Sequence, residues 1–144
     1  MNQRVIDEAR SWIGTPYVHQ ASAKGAGCDC LGLLRGVWRA CYGQEPEAIP
    51  AYSPDWDETQ GAEVLFAAAE RHLQRVIGPF EAGQVLLFRM RRGAVAKHLG
   101  LVSAKGANPR FIHAYSGHGV VESALSPFWQ QRIAAQFAFT KEVF

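Results

Sequence analysis

Along the first third of the chain, apolar residues recur at helical spacing. Across residues 2–13 they fall at Val5, Ile6, Ala9, Trp12 and Ile13 on one side of a 3.6-residue period, and Gly14 supplies a stop. Pro16 forbids continuation, so residues 14–20 are extended or turning. After the glycine loop at Gly25 and Gly27, a more regular stretch places Leu33, Leu34, Val37, Trp38 and Cys41 on one helical face. This central helix is expected to be buried along its length and to end at Gly43. Asp29 is a favoured N-cap type, which puts Cys30 in the first helical turn. Residues 58–76, with Val64, Leu65, Ala68, Ala69 and Leu73 in phase, predict a second long helix closed by Gly78 and Pro79. Residues 45–57 between these helices hold Pro46, Pro50 and Pro54 around Tyr52 and Trp56: a loop that wraps the domain or lines a cleft.

Beyond Gly78 the period changes from helix to strand. Residues 84–90, 99–103, 110–115, 119–123 and 133–140 are short β-type runs separated by turn residues such as Arg91-Arg92-Gly93 and Ser116-Gly117-His118-Gly119. Helices followed by consecutive strands at hairpin distances imply an α+β fold with an antiparallel sheet. At 144 residues the chain reads as a single domain, 1–144, without an internal repeat.

Composition changes this picture little. The chain is 48% apolar and 19% charged, which are globular values. A net charge of +2 is too slight to argue for nucleic acid, and the tightest basic cluster, Arg89, Arg91 and Arg92, reads as an exposed turn. No stretch approaches the ~20 apolar residues of a membrane span, and the charged N-terminus lacks the apolar run of a signal peptide. Cys28 and Cys30 are too close for a relaxed bridge and Cys41 should face the core, so reduced thiols made in a cytoplasm are expected.

The candidate chemistry starts at Cys30. Free N–H groups and the positive end of the helix dipole favour a thiolate there, although a free cysteine is as often a buried apolar residue. Cys28, two residues away, is the rival nucleophile. Of five histidines, His72 reads as surface and His118 lies in a glycine turn. His98 and His113 stand on runs joined by a hairpin through residues 105–110, which can set them side by side. A nucleophile needs a base and the base an orienter, and Cys30, His98 and His113 can fill those roles in that order. The same side chains allow a different reading, tetrahedral zinc held by Cys28, Cys30, His98 and His113. C-x-C is an unusual zinc pairing, and no metal or cofactor is assigned.

Gly27-Cys28-Asp29-Cys30-Leu31-Gly32-Leu33 resembles the D-C-[SA]-G-L signature of NlpC/P60 cysteine peptidases. Lys97-His98-Leu99-Gly100-Leu101 is similar to that family's H-V-G-I strand, and Ile112-His113-Ala114 to its third catalytic element. Residues 81–88 (Glu-Ala-Gly-Gln-Val-Leu-Leu-Phe) resemble its P-G-D-L-V-F segment, and Gly14-Thr15-Pro16-Tyr17 its G-x-P-Y segment. The composition is similar to stand-alone members encoded with the tail genes of bacteriophages and gene transfer agents.

The resemblance implies a papain-like α+β fold, with N-terminal helices and a central nucleophile helix packed on an antiparallel sheet. It implies hydrolysis of peptidoglycan stem peptides at the bond between D-γ-glutamate and a diamino acid. Cys30 would be the nucleophile, His98 the base and then the acid, His113 the orienter; Tyr17 and Asp29 would assist the oxyanion or hold substrate. The expected partners are the peptidoglycan stem peptide and phage-like tail proteins, with tail delivery placing the enzyme at the periplasmic wall. Departures from the pattern are Leu31, where many members have serine, and Gln84, where aspartate is usual. Alternatives are acyl transfer on the same fold and a non-catalytic structural tail component.

Overall fold

The computed structural model describes residues 2–47 and 64–140. Helix α1 (Asn2–Ser11) buries Val5 and Ala9 completely. The chain then turns at Gly14, whose φ of 94° suits glycine. The Gly14 N–H donates to Val120 O at 3.0 Å and the Val120 N–H to Thr15 O at 2.9 Å, tying this turn to the far edge of the sheet. Gly119 makes the approach possible. Its φ is 72°, and a Cβ there would lie 2.6 Å from Thr15 O. Two residues, Ser22–Ala23 (β1), pair with Gly27–Cys28 (β2) in a small antiparallel hairpin that precedes the central helix.

Helix α2 (Cys30–Tyr42) is bounded as the sequence predicts. Asp29 adopts an extended N-cap conformation and accepts from the Gly32 N–H; Gly43 closes the helix in the left-handed region with its N–H on Arg39 O. Leu33, Val37 and Cys41 are fully buried. Gly36 lets α2 meet α1, since a Cβ there would run into the Trp12 ring. The next helix differs from expectation. Of residues 58–76, only Val64–His72 (α3) is helical among those described, and 58–63 lie outside them. Gln74–Val76 instead forms a strand, β3, because it can pair with a neighbour that helical periodicity does not reveal. His72, read as surface, is part-buried: its Nε2 lies 3.0 Å from a Glu47 carboxylate oxygen and its ring is edge-on to Trp38. Most of the proline-rich stretch at 45–57, including Tyr52 and Trp56, lies outside the described residues.

Five further strands follow: β4 (Val85–Phe88), β5 (His98–Ala104), β6 (Arg110–Tyr115), β7 (Gly119–Ala124) and β8 (Ile133–Ala138). A short helix, α4 (Pro127–Gln130), with proline in its first turn, separates the last two. The sheet runs β3-β8-β4-β5-β6-β7 with every neighbouring pair antiparallel. All four residues of β4 are buried, so this strand reads as a continuous apolar run rather than an alternation. Val85, Leu87, Leu99, Leu101, Ile112 and Ala114 pack toward α1, α2 and α3. Leu86, Phe88, Val102 and Phe111 face the other way, where Leu125 and Trp129 cover them. No helix among the described residues is long and apolar enough to cross a membrane.

Candidate active site

Cys30 sits in the first turn of α2 and keeps partial exposure, whereas Cys28 and Cys41 are both 0% exposed. That difference separates the two rival thiols: Cys28 is core and Cys30 can be reached. The Cys30 thiol donates to the carbonyl of Lys97 at 3.6 Å, and the backbone N–H groups of Cys30, Leu31 and Leu99 point at the sulfur. Lys97 and Leu99 flank His98, so the helix tip abuts the start of β5.

The proton affinity of the thiol reverses the sequence expectation. Burial, with the Asp29 carboxylate adding to it, pushes the Cys30 thiol up to about 12. The helix-tip N–H groups act in the opposite direction but are outweighed.

His98 and His113 meet as the hairpin spacing predicts. His98 Nε2 and His113 Nδ1 are 2.9 Å apart, with both rings buried. The register places Leu101 opposite Ile112, so the two histidines project onto the same face, away from α1 and α2. Their surroundings are aromatic. His98 lies 5.7 Å from Phe88, 5.6 Å from Trp129 and 5.9 Å from Tyr115, centroid to centroid. Phe111 stacks on His113 at 4.1 Å. Burial in this box, together with the neighbouring imidazole, holds His98 well below the ordinary imidazole range; burial and then His118 do the same to His113. Both rings rest neutral. The outer nitrogen of His113, Nε2, is 3.0 Å from Ser123 Oγ on β7. Among the described residues no hydrogen bond joins the Cys30 thiol to His98, so the structure assembles the histidine pair and leaves the thiol on a backbone carbonyl beside it.

Tyr17 forms an isolated bridge to Cys28, next to the start of α2. Its phenol is pushed up to about 12 by burial and then by the charges that Cys30, Asp29 and Cys28 would carry. Asp29 is 3% exposed and its two oxygens are already engaged. Oδ1 accepts from the Gly32 N–H at 2.7 Å, and Oδ2 from the Gln20 N–H at 2.8 Å. Gln20 has a φ of 65°, so Asp29 also braces a left-handed turn. Its observed work is therefore to shape the loop and cap the helix. A cavity of about 330 Å³ opens between the Gly14–Tyr17 segment and the turn carrying His118. The zinc reading finds no support in the donors, because no three His, Cys, Asp or Glu side chains cluster closely enough among the described residues.

Sequence reasoning missed Ser123 and Trp129. A serine on a half-polar strand carries no signal of its own. The Ser126-Pro127 pair before Trp129 does mark a helix start.

Helices packed on a six-stranded antiparallel sheet, with a cysteine at the tip of the core helix and paired histidines on the sheet, define an α+β fold of the papain-like kind. The chain belongs to the NlpC/P60 family, whose pattern matches residues 14–137. It is 30% identical over 130 residues to the gamma-DL-glutamyl hydrolase of Bacillus subtilis (strain 168), and spans 27% of that protein's length. Among solved structures, it is similar to the NlpC/p60 domain of the peptidoglycan hydrolase SagA, with a TM-score of 0.62 and 21% identity, covering 96% of this chain and 99% of that one. A protein described as similar to a lipoprotein of the NLP/P60 family, from Staphylococcus aureus subsp. aureus Mu50, matches with a TM-score of 0.60 and 23% identity. That match covers 98% of this chain and 42% of the other.

Proposed function

We propose that this chain is a cysteine endopeptidase that hydrolyses peptidoglycan stem peptides at the D-γ-glutamyl–diamino acid bond. The observation that carries the proposal is the buried His98–His113 pair at 2.9 Å, with the residue before His98 giving its carbonyl to the thiol of Cys30, the only one of the three cysteines that is not fully buried. Family membership supports wall hydrolysis, and the γ-glutamyl specificity in the name of the Bacillus relative supports the bond.

In this mechanism the Cys30 thiol leaves the Lys97 carbonyl and, once substrate brings thiol and imidazole together, passes its proton to His98 Nδ1, the ring nitrogen that His113 does not engage, as sulfur attacks the γ-carbonyl carbon. The N–H groups at the start of α2 face the developing oxyanion, with Tyr17 beside them. His98 then returns the proton to the departing amine and the C–N bond breaks, leaving a γ-glutamyl thioester on Cys30. Water, deprotonated by His98, attacks the thioester; sulfur leaves and is reprotonated. Leu31 offers no hydrogen bond and is buried, so a free stem-peptide amine finds no ligand at that position. Tail delivery rests on the resemblance in composition alone, and the site geometry does not depend on it.

The test is mass spectrometry of soluble muropeptides released from purified peptidoglycan by the wild-type, Cys30→Ala and Cys28→Ala proteins. Stem-peptide fragments cut after γ-glutamate, lost with Cys30→Ala and kept by folded Cys28→Ala, are expected. No fragments from folded, reduced wild-type protein would sink the proposal. That result would favour a second reading, a non-catalytic wall-binding module, which the engagement of the thiol by a backbone carbonyl favours.

A further inference from the structure

We propose that Ser123 is a fourth, positioning member of the site, acting as the hydrogen-bond acceptor that fixes the ring tautomers of His113 and, through it, of His98. This rests on the catalytic reading above and deepens it.

The chain of contacts is His98 Nε2 to His113 Nδ1 at 2.9 Å, then His113 Nε2 to Ser123 Oγ at 3.0 Å. With both rings neutral, each carries one N–H, so protons along this chain can run in only two directions. In the first, His98 Nε2–H donates to His113 Nδ1 and His113 Nε2–H donates to the Ser123 oxygen. His98 Nδ1 is then a bare lone pair, able to take the thiol proton. In the second, the Ser123 hydroxyl donates to His113 Nε2, His113 Nδ1–H donates to His98 Nε2, and His98 Nδ1 already holds a proton. Only the first makes His98 a base.

The first direction also survives proton transfer. An imidazolium at His98 still donates Nε2–H to His113 Nδ1, and nothing further along must rearrange. Ser123 can complete this arrangement because a hydroxyl oxygen accepts while its own hydrogen turns elsewhere. The sheet holds it in place: β6 and β7 pair in register from Arg110–Ala124 to Tyr115–Gly119, and Phe111 stacks on His113 to stop the ring from turning. The His118 ring stacks on Tyr115, and the partner of His113 Nε2 is Ser123 Oγ.

The experiment combines ¹⁵N NMR of the histidine rings with steady-state kinetics on a stem-peptide substrate, for wild type, Ser123→Ala and Ser123→Thr. We expect wild-type His113 to be protonated at Nε2, and Ser123→Ala to shift a measurable share to Nδ1–H. Its kcat should fall about tenfold with KM little changed, and Ser123→Thr, which keeps the acceptor oxygen, should recover most of both. The ring spectra read Ser123 without requiring turnover, so they stand even if the wild-type protein hydrolyses nothing. An unchanged His113 tautomer in folded Ser123→Ala overturns the inference. So does full kcat in Ser123→Ala when Cys30→Ala is inactive, and so does a Thr variant as impaired as the Ala.

Discussion

Lowering the pH from 7 to 5 loads protons onto the unfolded chain before the folded one accepts them, and two rings dominate that difference. His98 and His113 are buried, with proton affinities depressed from 6.5 to about 3 and about 4. Between pH 6.5 and pH 4 the unfolded state therefore binds more protons than the native state, so stability rises with pH across that window and is lost as pH falls. For one ring with an unfolded value near 6.5 that stays neutral when folded, the loss between pH 7 and pH 5 is about 1.9 kcal/mol. Two rings give roughly 4 kcal/mol, which for a chain of this size lowers Tm by about 12 °C.

The carboxylates do not confuse the window. Burial raises Glu8, Glu45 and Glu122, but hydrogen bonds from Lys24 and Trp12, from Arg35 and Arg39, and from Ser103 and Arg10 respectively outweigh it and hold them below their ordinary value of 4.5. Their contribution is present above 4.5 and fades only as pH falls below it. The assay is urea unfolding followed by tryptophan fluorescence at pH 7, 6, 5.5 and 5. A His113→Gln variant, which keeps the volume and polarity but loses one titrating ring, should show about half the slope. A flat profile between pH 7 and 5, or a His113→Gln slope equal to wild type, would refute the assignment of that loss to the buried pair.

Three further outcomes follow from the same geometry. With its thiol pushed up to about 12, Cys30 in the folded protein should be alkylated by iodoacetamide at pH 7 on the order of a thousandfold more slowly than in the urea-unfolded chain; fast modification, flat from pH 5 to 8, would mean a preformed thiolate–imidazolium pair. Gly36→Ala should destabilise by about 1–3 kcal/mol, because its Cβ meets the Trp12 ring where α1 crosses α2, and a Tm within 1 °C of wild type in a thermal melt would contradict that packing. Asp29→Ala removes the cap of α2 and the acceptor that braces Gln20, for a loss of roughly 2–3 kcal/mol by urea unfolding, with Asp29→Asn recovering part of it; equal stability of the Ala variant would show the cap to be idle.

Periodicity reached the parts of this molecule where one residue pattern meets one neighbour. The α2 stripe from Leu33 to Cys41 is buried as its spacing predicts, and Asp29 and Gly43 close it. The five longer strands were legible because turn residues separate them. What stayed hidden was pairing over very short runs. Gln74–Val76 continues the helical phase of α3 on paper and becomes a strand only because Gln136 to Ala138 present an open edge. The two-residue pairing of Ser22–Ala23 with Gly27–Cys28 leaves no periodic trace at all. At the site, the His98–His113 contact was readable from the hairpin, but the state of the thiol was not. A helix tip lowers a thiol's proton affinity when other things are equal, and depth of burial is the quantity that sequence spacing does not report.

The two halves of the site are built by different means. The histidine pair is a property of strand register: β5 and β6 cannot slip without separating His98 from His113, and the aromatic cover of Phe88, Phe111 and Trp129 on that face locks them. Cys30 belongs to the opposite layer, and its position depends on how α2 docks through Gly36 and Trp12, Gly32 and the Ala21 carbonyl, and Asp29 and Gln20. The Cys30 thiol meets the histidine strands at the start of β5, where Lys97 O and the Leu99 N–H straddle His98. A substitution in the α1–α2 contact can therefore shift Cys30 while leaving the histidine spectra unchanged, and one in β6 or β7 can do the reverse. The neutral resting state fits this division. Neither layer alone stabilises a thiolate–imidazolium pair, so under the proposed mechanism the proton would pass only once substrate brings thiol and imidazole together.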